Sequence, residues 1–401
     1  MTTSLRPDYY GSFACLMGGC RLNCCRENWN IPLTREEYAG IRAAAKRRGG
    51  ELERLCGQAL GRGGGGYAHI RHPAGGACPL CSPQGLCRLH AACGPEALGT
   101  VCRTFLRSHV LWGSCHRQGC SAACQGMLEL LERRTRPIRL ETGPFVEDGW
   151  TPRLGSLEVT PRQLEQRPLM ARLEEIQQAC VGLLQRRERP FPQRMLELAA
   201  ALHGLDAAER AGGPADLTAA LQSEAPAAAF PGSLGNALEA AVLFTMIFDH
   251  GGTPEEQRFI GAIRGGCGVR LHPGAGGVEL RLDQEAYARA ASARAALWVE
   301  RAPYLWEHLT VNGLFTGLLP FGAPEAGVWE NTLYFCAVYG VLRFLTAGAA
   351  LAADPWPATQ DALVRGLRKF THSTELLPRT VDYLRRHGMD TPEGAAALLA
   401  L

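Results

Sequence analysis

Apolar residues recur at helical spacing through the last two-thirds of the chain. Thr160-Pro161-Arg162-Gln163 carries the marks of a helix start: a capping residue, Pro at the first position and Gln three residues on. From Leu164 an amphipathic pattern runs through Leu173, Ile176 and Leu183 to about Arg187, with a kink expected at Pro168. Arg189-Pro190-Phe191-Pro192 breaks it, and Met195, Leu196, Leu198 and Leu202 restart it up to Gly204. Further helices are predicted at 234–250, 283–300, 303–319, 328–351 and 359–386. Strand-like alternation is scarce. Residues 268–271 and 278–282, joined by a glycine-rich loop, predict one small hairpin.

The first 124 residues read differently. They lack long apolar periodicity, contain the run Gly63-Gly64-Gly65-Gly66, and hold thirteen of the sixteen cysteines. A segment with so little apolar patterning commonly needs a metal or disulfides to be stable. Pro137, Gly143, Pro144, Gly149 and Pro152 punctuate the passage between the two regions. The expected fold is mainly α. A cysteine-rich metal-binding region of short helices and loops spans residues 1–135, and a larger C-terminal helical domain spans 155–401.

Composition narrows the function. Of 401 residues, 42 are Lys or Arg and 39 Asp or Glu, so the net charge of +3 gives no footprint of a nucleic-acid binder. The most apolar stretch, 329–353, is interrupted by Glu330 and Arg343, which argues against a membrane span. Met1–Asp8 has no continuous apolar core, which predicts no signal peptide and a cytoplasmic protein. Thiols there stay reduced, so the cysteines point to metal or redox chemistry rather than disulfides.

Their spacing is Cys15-x4-Cys20-x3-Cys24-Cys25, then Cys78-x2-Cys81-x5-Cys87-x5-Cys93 and Cys102, then Cys115-x4-Cys120-x3-Cys124, with Cys56 alone. Soft anionic sulfur suits zinc and iron–sulfur sites. Only Cys78 and Cys81 form a zinc-knuckle pair, and no second knuckle matches it. Spacing alone leaves open a structural zinc or iron cage and a catalytic cluster.

The run Pro7-Asp8-Tyr9-Tyr10-x2-Phe13-x-Cys15-x4-Cys20-x3-Cys24-Cys25-x3-Trp29-x-Ile31 resembles the start of the flagellin lysine-N-methylase (FliB-type) family. The resemblance continues at Gly76-Ala77-Cys78-Pro79-Leu80, Gly85-Leu86-Cys87-Arg88-Leu89 and Val101-Cys102-Arg103-Thr104-Phe105-x-Arg107. It resumes where Cys124 precedes an apolar helix, at Leu309-Thr310-Val311-Asn312-Gly313-Leu314-Phe315 and at His372-Ser373. It implies an S-adenosylmethionine-dependent methylase of flagellin lysines that carries a [4Fe-4S] cluster. The cysteines it implies as metal ligands are Cys15, Cys20, Cys24, Cys25, Cys78, Cys87, Cys102 and Cys124. Cys56, Cys81, Cys93, Cys115 and Cys120 are extras by the same comparison. Leu106 stands where that family has Pro, and Gln125-Gly126 where it has Pro-Glu.

A lysine amine with a pKa near 10.4 is neutral in only about one molecule in a thousand at neutral pH, so a methylase must desolvate it or take its proton. Tyr9, Tyr10, Glu27 and Trp29 lie close in sequence to the cysteines, where aromatic shielding of a metal is the simplest role. Gly61–Gly66 has no preceding strand and reads as a loop, and the scarcity of βαβ patterning argues against a Rossmann-like methyltransferase. His308, Asn312 and His372 read as packing elements on helices, Trp306 and Trp329 as core, and Arg186-Arg187-Glu188-Arg189 as a solvated helix end. The alternatives to a methylase are a non-catalytic zinc- or iron-chelating protein whose helical domain binds a partner, and a classical methyltransferase with a structural zinc.

Overall fold

The computed structural model describes residues 3–26, 31–63, 66–73, 76–147, 158–213, 217, 221, 235–248, 253–274, 277–371 and 375–399. The chain forms two compact units. One comprises Met1–Cys120, Cys124–Gly126 and Thr142–Glu158; the other Ser121–Ala123, Met127–Glu141 and Val159–Leu401. The fold is mainly α, as expected, but the cysteine-rich region also holds strands that its sequence pattern did not announce.

In the first unit, β2 (Ile31–Leu33), β3 (Leu60–Arg62) and β4 (Ala68–Ile70) form an antiparallel sheet with β4 in the middle. Ile31 and Leu60 both pair with Ile70, so apolar side chains share one face. That face joins Leu33, Ile41, Ala45, Cys56, Leu80 and Leu89 in a small core. Helix α1 (Arg35–Arg48) begins with a full capping box. Thr34 accepts the Glu37 N–H at 3.2 Å, and Glu37 Oε2 accepts the Thr34 N–H at 2.8 Å.

A second sheet has the order β7–β1–β6–β5–β8, where β1 is Thr3–Pro7, β5 Arg107–Trp112, β6 Cys115–Cys120, β7 Leu140–Pro144 and β8 Glu158–Val159. β1 runs parallel to β6, and β5 and β6 form a hairpin closed by Gly113 and Ser114. Gly113 has φ +61°, which a two-residue hairpin turn requires at that position. β6 reads Cys-His-Arg-Gln-Gly-Cys, yet Arg117 and Gln118 are buried. Gln118 holds Val146 through both amide ends, at 2.8 and 3.0 Å.

The second unit is built around the helix Val328–Ala349, which is long and apolar enough to cross a membrane by length and composition, but 89% of its most apolar 18-residue stretch is buried. The helices Phe191–Arg210, Gly235–Phe248, Pro254–Gly266, Gln284–Arg301, Pro355–Thr371 and Pro392–Leu399 pack around it. Gly266 and Gly348 allow one crossing. A Cβ on Gly266 would lie 2.5 Å from the Gly348 carbonyl oxygen. The hairpin forms as expected, with Val269–Gly274 paired to Gly277–Leu282. The first amphipathic run is broken at Pro168 into Pro161–Gln166, Pro168–Ala171 and Leu173–Leu184. The helix expected over 359–386 is two, Pro355–Thr371 and Leu376–Arg386; His372 between them lies outside the described residues.

Buried polar groups knit this unit together. Glu307, 1% exposed, is clamped by Arg187 at 2.8 and 2.9 Å and by Arg194 at 3.0 Å. Arg186 and Arg189 both reach the buried Glu197. The Arg186–Arg189 run is therefore not simply a solvated helix end. Its guanidiniums cap carboxylates that the helical pattern had hidden. His308 and Asn312 are packing elements as read: the imidazole faces the Leu131 and Arg136 carbonyls, and Asn312 Oδ1 accepts the Ala122 N–H. Trp306 and Trp329 are buried.

Candidate metal and ligand cavity

In the first unit, six of the eight expected cysteines line a cavity of about 470 Å³: Cys15, Cys24, Cys25, Cys78, Cys87 and Cys102. Cys20 and Cys124 are not among its lining residues. Cys124 is buried in the same unit. Of the neighbouring aromatic residues, Tyr9 and Tyr10 are buried core; Glu27 and Trp29 lie outside the described residues.

Short-range bonds set the cysteine loops. Asn23 donates to the Gly85 carbonyl at 2.8 Å and accepts the Cys25 N–H at 2.8 Å. The Cys78 N–H donates to the Cys25 carbonyl at 2.8 Å, so the first and second cysteine clusters meet backbone to backbone. Cys81 and Cys87 form a one-pair antiparallel bridge. Glu37, beyond capping α1, accepts the Thr100 N–H at 2.6 Å, which anchors the short helix Thr100–Thr104 that carries Cys102.

The thiols feel one another. Cys25 is pushed far above its ordinary range by its hydrogen bond with Cys24, by burial, and by the negative charge that Cys24, Cys87 and Cys102 would carry. Crowding by protein atoms raises Cys102, with Cys78, Cys87 and Cys24 adding to it; its accessible surface is on the cavity side. Burial lifts Cys78 to about 11, and raises Cys87 as well. Such a group cannot ionise together unless a cation offsets the repulsion, which is what a metal provides. Cys81 exerts the same influence on Cys78 and Cys87, so a cysteine set aside as an extra belongs to this neighbourhood.

Among the described residues, no three His, Cys, Asp or Glu side chains close around one point tightly enough to hold a single metal ion. Tetrahedral zinc, with Zn–S near 2.3 Å, would need its four sulfurs about 3.8 Å from one another.

The rest of the lining is of two kinds. Ile31, Leu33, Ile41, Leu98 and Val101 form an apolar wall, and Arg103 is a cation in that lining. Arg103 Nη1 pairs with Glu96 at 3.0 Å, while its Nε is buried and has no hydrogen-bond partner among the described residues. Arg103 was visible in the sequence only as a letter of the Cys102 run.

Both departures from the family pattern have a local account. Leu106 has φ +69°, which proline, fixed near −65°, cannot adopt. Gln125 Oε1 accepts the Arg21 N–H at 2.8 Å and the Leu22 N–H at 3.3 Å, a task that proline at that position could not perform.

Comparison with known proteins adds the lineage. Residues 177–398 match the FliB lysine N-methylase C-terminal domain, which is more than half of the chain. A lysine-N-methylase of Salmonella choleraesuis (strain SC-B67) is 28% identical over 126 residues, and the aligned part is 30% of each chain. The flagellar biosynthetic protein FliU of Salmonella muenchen is 27% identical over 126 residues, 30% of this chain and 72% of FliU. The match thus spans about 30% of the length of the curated lysine-N-methylase. No solved structure matches. With more than half its length matched to that domain, the chain belongs to the FliB lysine N-methylase family.

Proposed function

We propose that the protein transfers methyl groups from S-adenosylmethionine to lysine amines of flagellin, with a [4Fe-4S] cluster bound at the cysteine cavity. The observation that carries this reading is the convergence of Cys24, Cys25, Cys78, Cys87 and Cys102 on one cavity that also has an apolar wall. Family membership and the names of the relatives, a lysine-N-methylase and a flagellar biosynthetic protein, support the reaction and the substrate. The chain's nearly balanced charge is consistent with a protein substrate and no nucleic-acid partner.

Three or four of the cavity thiols Cys15, Cys24, Cys25, Cys78, Cys87 and Cys102 would hold the cluster, one to each iron. When bound, the cluster supplies positive charge that lets clustered thiolates coexist, and an iron able to accept donor atoms from a ligand. The chain's own residues do the rest. Ile31, Leu33, Leu98 and Val101 exclude water, which disfavours an ammonium ion and raises the neutral fraction of an incoming lysine. Asn23 and Glu37 hold the cysteine-bearing loops in register. The neutral amine attacks the sulfonium methyl, the C–S bond breaks, and the amine's extra proton leaves to solvent.

Protein purified without oxygen tests this. The expected result is a brown protein, bleached by dithionite, that contains iron and acid-labile sulfide and adds methylene-sized mass steps to flagellin. A colourless zinc protein that leaves flagellin unchanged would overturn the reading in favour of a chelating module. Cys24→Ser combined with Cys87→Ser should abolish both colour and methylation; methylation that survives would leave the cluster as scaffold.

A further inference from the structure

The thiols occupy only part of the cavity wall, and the remainder has a chemistry of its own. Ile31, Leu33, Ile41, Leu98 and Val101 are poor company for an anionic cluster but suit a flat apolar body. Arg103 lines the same cavity one residue beyond Cys102. Its charge is only loosely committed. Glu96, its partner at Nη1, is 83% exposed, and such a pair is weak in water. Glu37, the other nearby carboxylate, is lowered in part by the Arg103 charge, but its oxygens accept the Thr34 and Thr100 N–H groups rather than a guanidinium N–H. The Nε edge of the guanidinium has no partner among the described residues, and a planar guanidinium fork is matched to a carboxylate.

We propose that the apolar part of this cavity, together with Arg103, is the site of the methyl donor, with the guanidinium holding the donor's amino-acid carboxylate and the wall of Ile31, Leu33, Leu98 and Val101 taking its nucleoside. This assignment rests on the donor reading above and places both cofactors in one cavity. A carboxylate beside Cys102 brings the adjoining sulfonium close to the thiol-lined end, where an approaching amine meets it out of water.

Two probes separate the carboxylate from the nucleoside: S-adenosylhomocysteine has both, and 5′-methylthioadenosine lacks the amino-acid end. Calorimetric titration of the full iron-loaded protein should show that Arg103→Gln weakens S-adenosylhomocysteine by about tenfold or more while 5′-methylthioadenosine changes by less than about twofold. Val101→Phe, which fills the apolar part, should weaken both probes alike. Iron content equal to that of the wild type marks an intact cavity. If Arg103→Gln loses its iron, Arg103→Lys keeps the charge without the fork and should show the same split. Unchanged S-adenosylhomocysteine affinity in the Arg103 variant, or equal loss of both probes, would overturn the assignment. Wild-type protein that binds neither probe would overturn the donor reading together with it; flagellin methylation alongside an unaffected Arg103 variant would overturn this inference alone.

Discussion

The two units solve the problem of stability in opposite ways. The cysteine-rich unit has a modest apolar core around Ile31, Leu33, Ile41, Leu60 and Ile70, and its thiols and much of its apolar wall face a cavity. The helical unit buries most of Val328–Ala349 against its neighbours and then adds buried ion pairs such as Arg187–Glu307–Arg194. Small cores gain little from burial alone, so the first unit has reason to depend on an inorganic centre, whereas the second does not. The difference also says where chemistry belongs. Thiols whose protonated form is favoured by burial and by one another, gathered at a cavity, make this unit the candidate place for chemistry.

Removing the proposed cluster should break this contrast most severely. In hydrogen exchange read by mass spectrometry, chelation of iron should strip protection from 31–62 and 68–104 while peptides from 328–349 keep theirs. Equal loss in both would mean that the helical unit depends on the same centre, and the proposed division of labour would fall.

Next in size is Glu307→Ala. It takes the buried carboxylate from Arg187 and the nearly buried Arg194, and breaking a buried pair in this way costs about 3–5 kcal/mol. Denaturant unfolding of the full chain should show that loss in the transition of the helical unit, with iron content unchanged. A loss below about 1 kcal/mol would place the trio among ordinary surface pairs.

How much of this was legible in the sequence follows from the same contrast. Helices of the second unit announce themselves because one face must be apolar: Gln284–Arg301 and Leu305–Thr316 fall within a few residues of their expected bounds. The break after Thr371 was missed, since the apolar spacing of Leu376 and Val381 continues that of the helix before it. The strands of the first unit gave no alternation to read. β6 buries Arg117 and Gln118, and the Gln118 amide is held by hydrogen bonds to Val146 rather than hidden by patterning. The family resemblance, not the spacing, implied the six thiols of the cavity, and it could not separate them from Cys20 and Cys124, because their positions are set by loop contacts such as Asn23–Gly85 and Cys78–Cys25. Arg103 and Cys81 were missed for the same reason: each matters through its neighbours in space.

The smallest effect concerns pH. Burial holds the His308 imidazole below its ordinary range, with Arg187 and Arg134 pushing the same way and outweighing the Leu131 carbonyl and Glu307, which favour the charged form. Asn312 and Thr310 on the same helix do not titrate. When the chain unfolds, His308 returns to a pKa near 6.5 and binds a proton more readily than it does in the fold. Its neutral form therefore contributes stability in full above about pH 6.5, and that contribution is lost as pH falls toward the folded value, at about 1.4 kcal/mol per unit of depression. His308→Gln should flatten the stability profile of the helical unit below pH 6.5 and leave its shape above that pH unchanged. A variant profile parallel to the wild type through that window would show that the fold does not lower the imidazole, and would overturn this prediction.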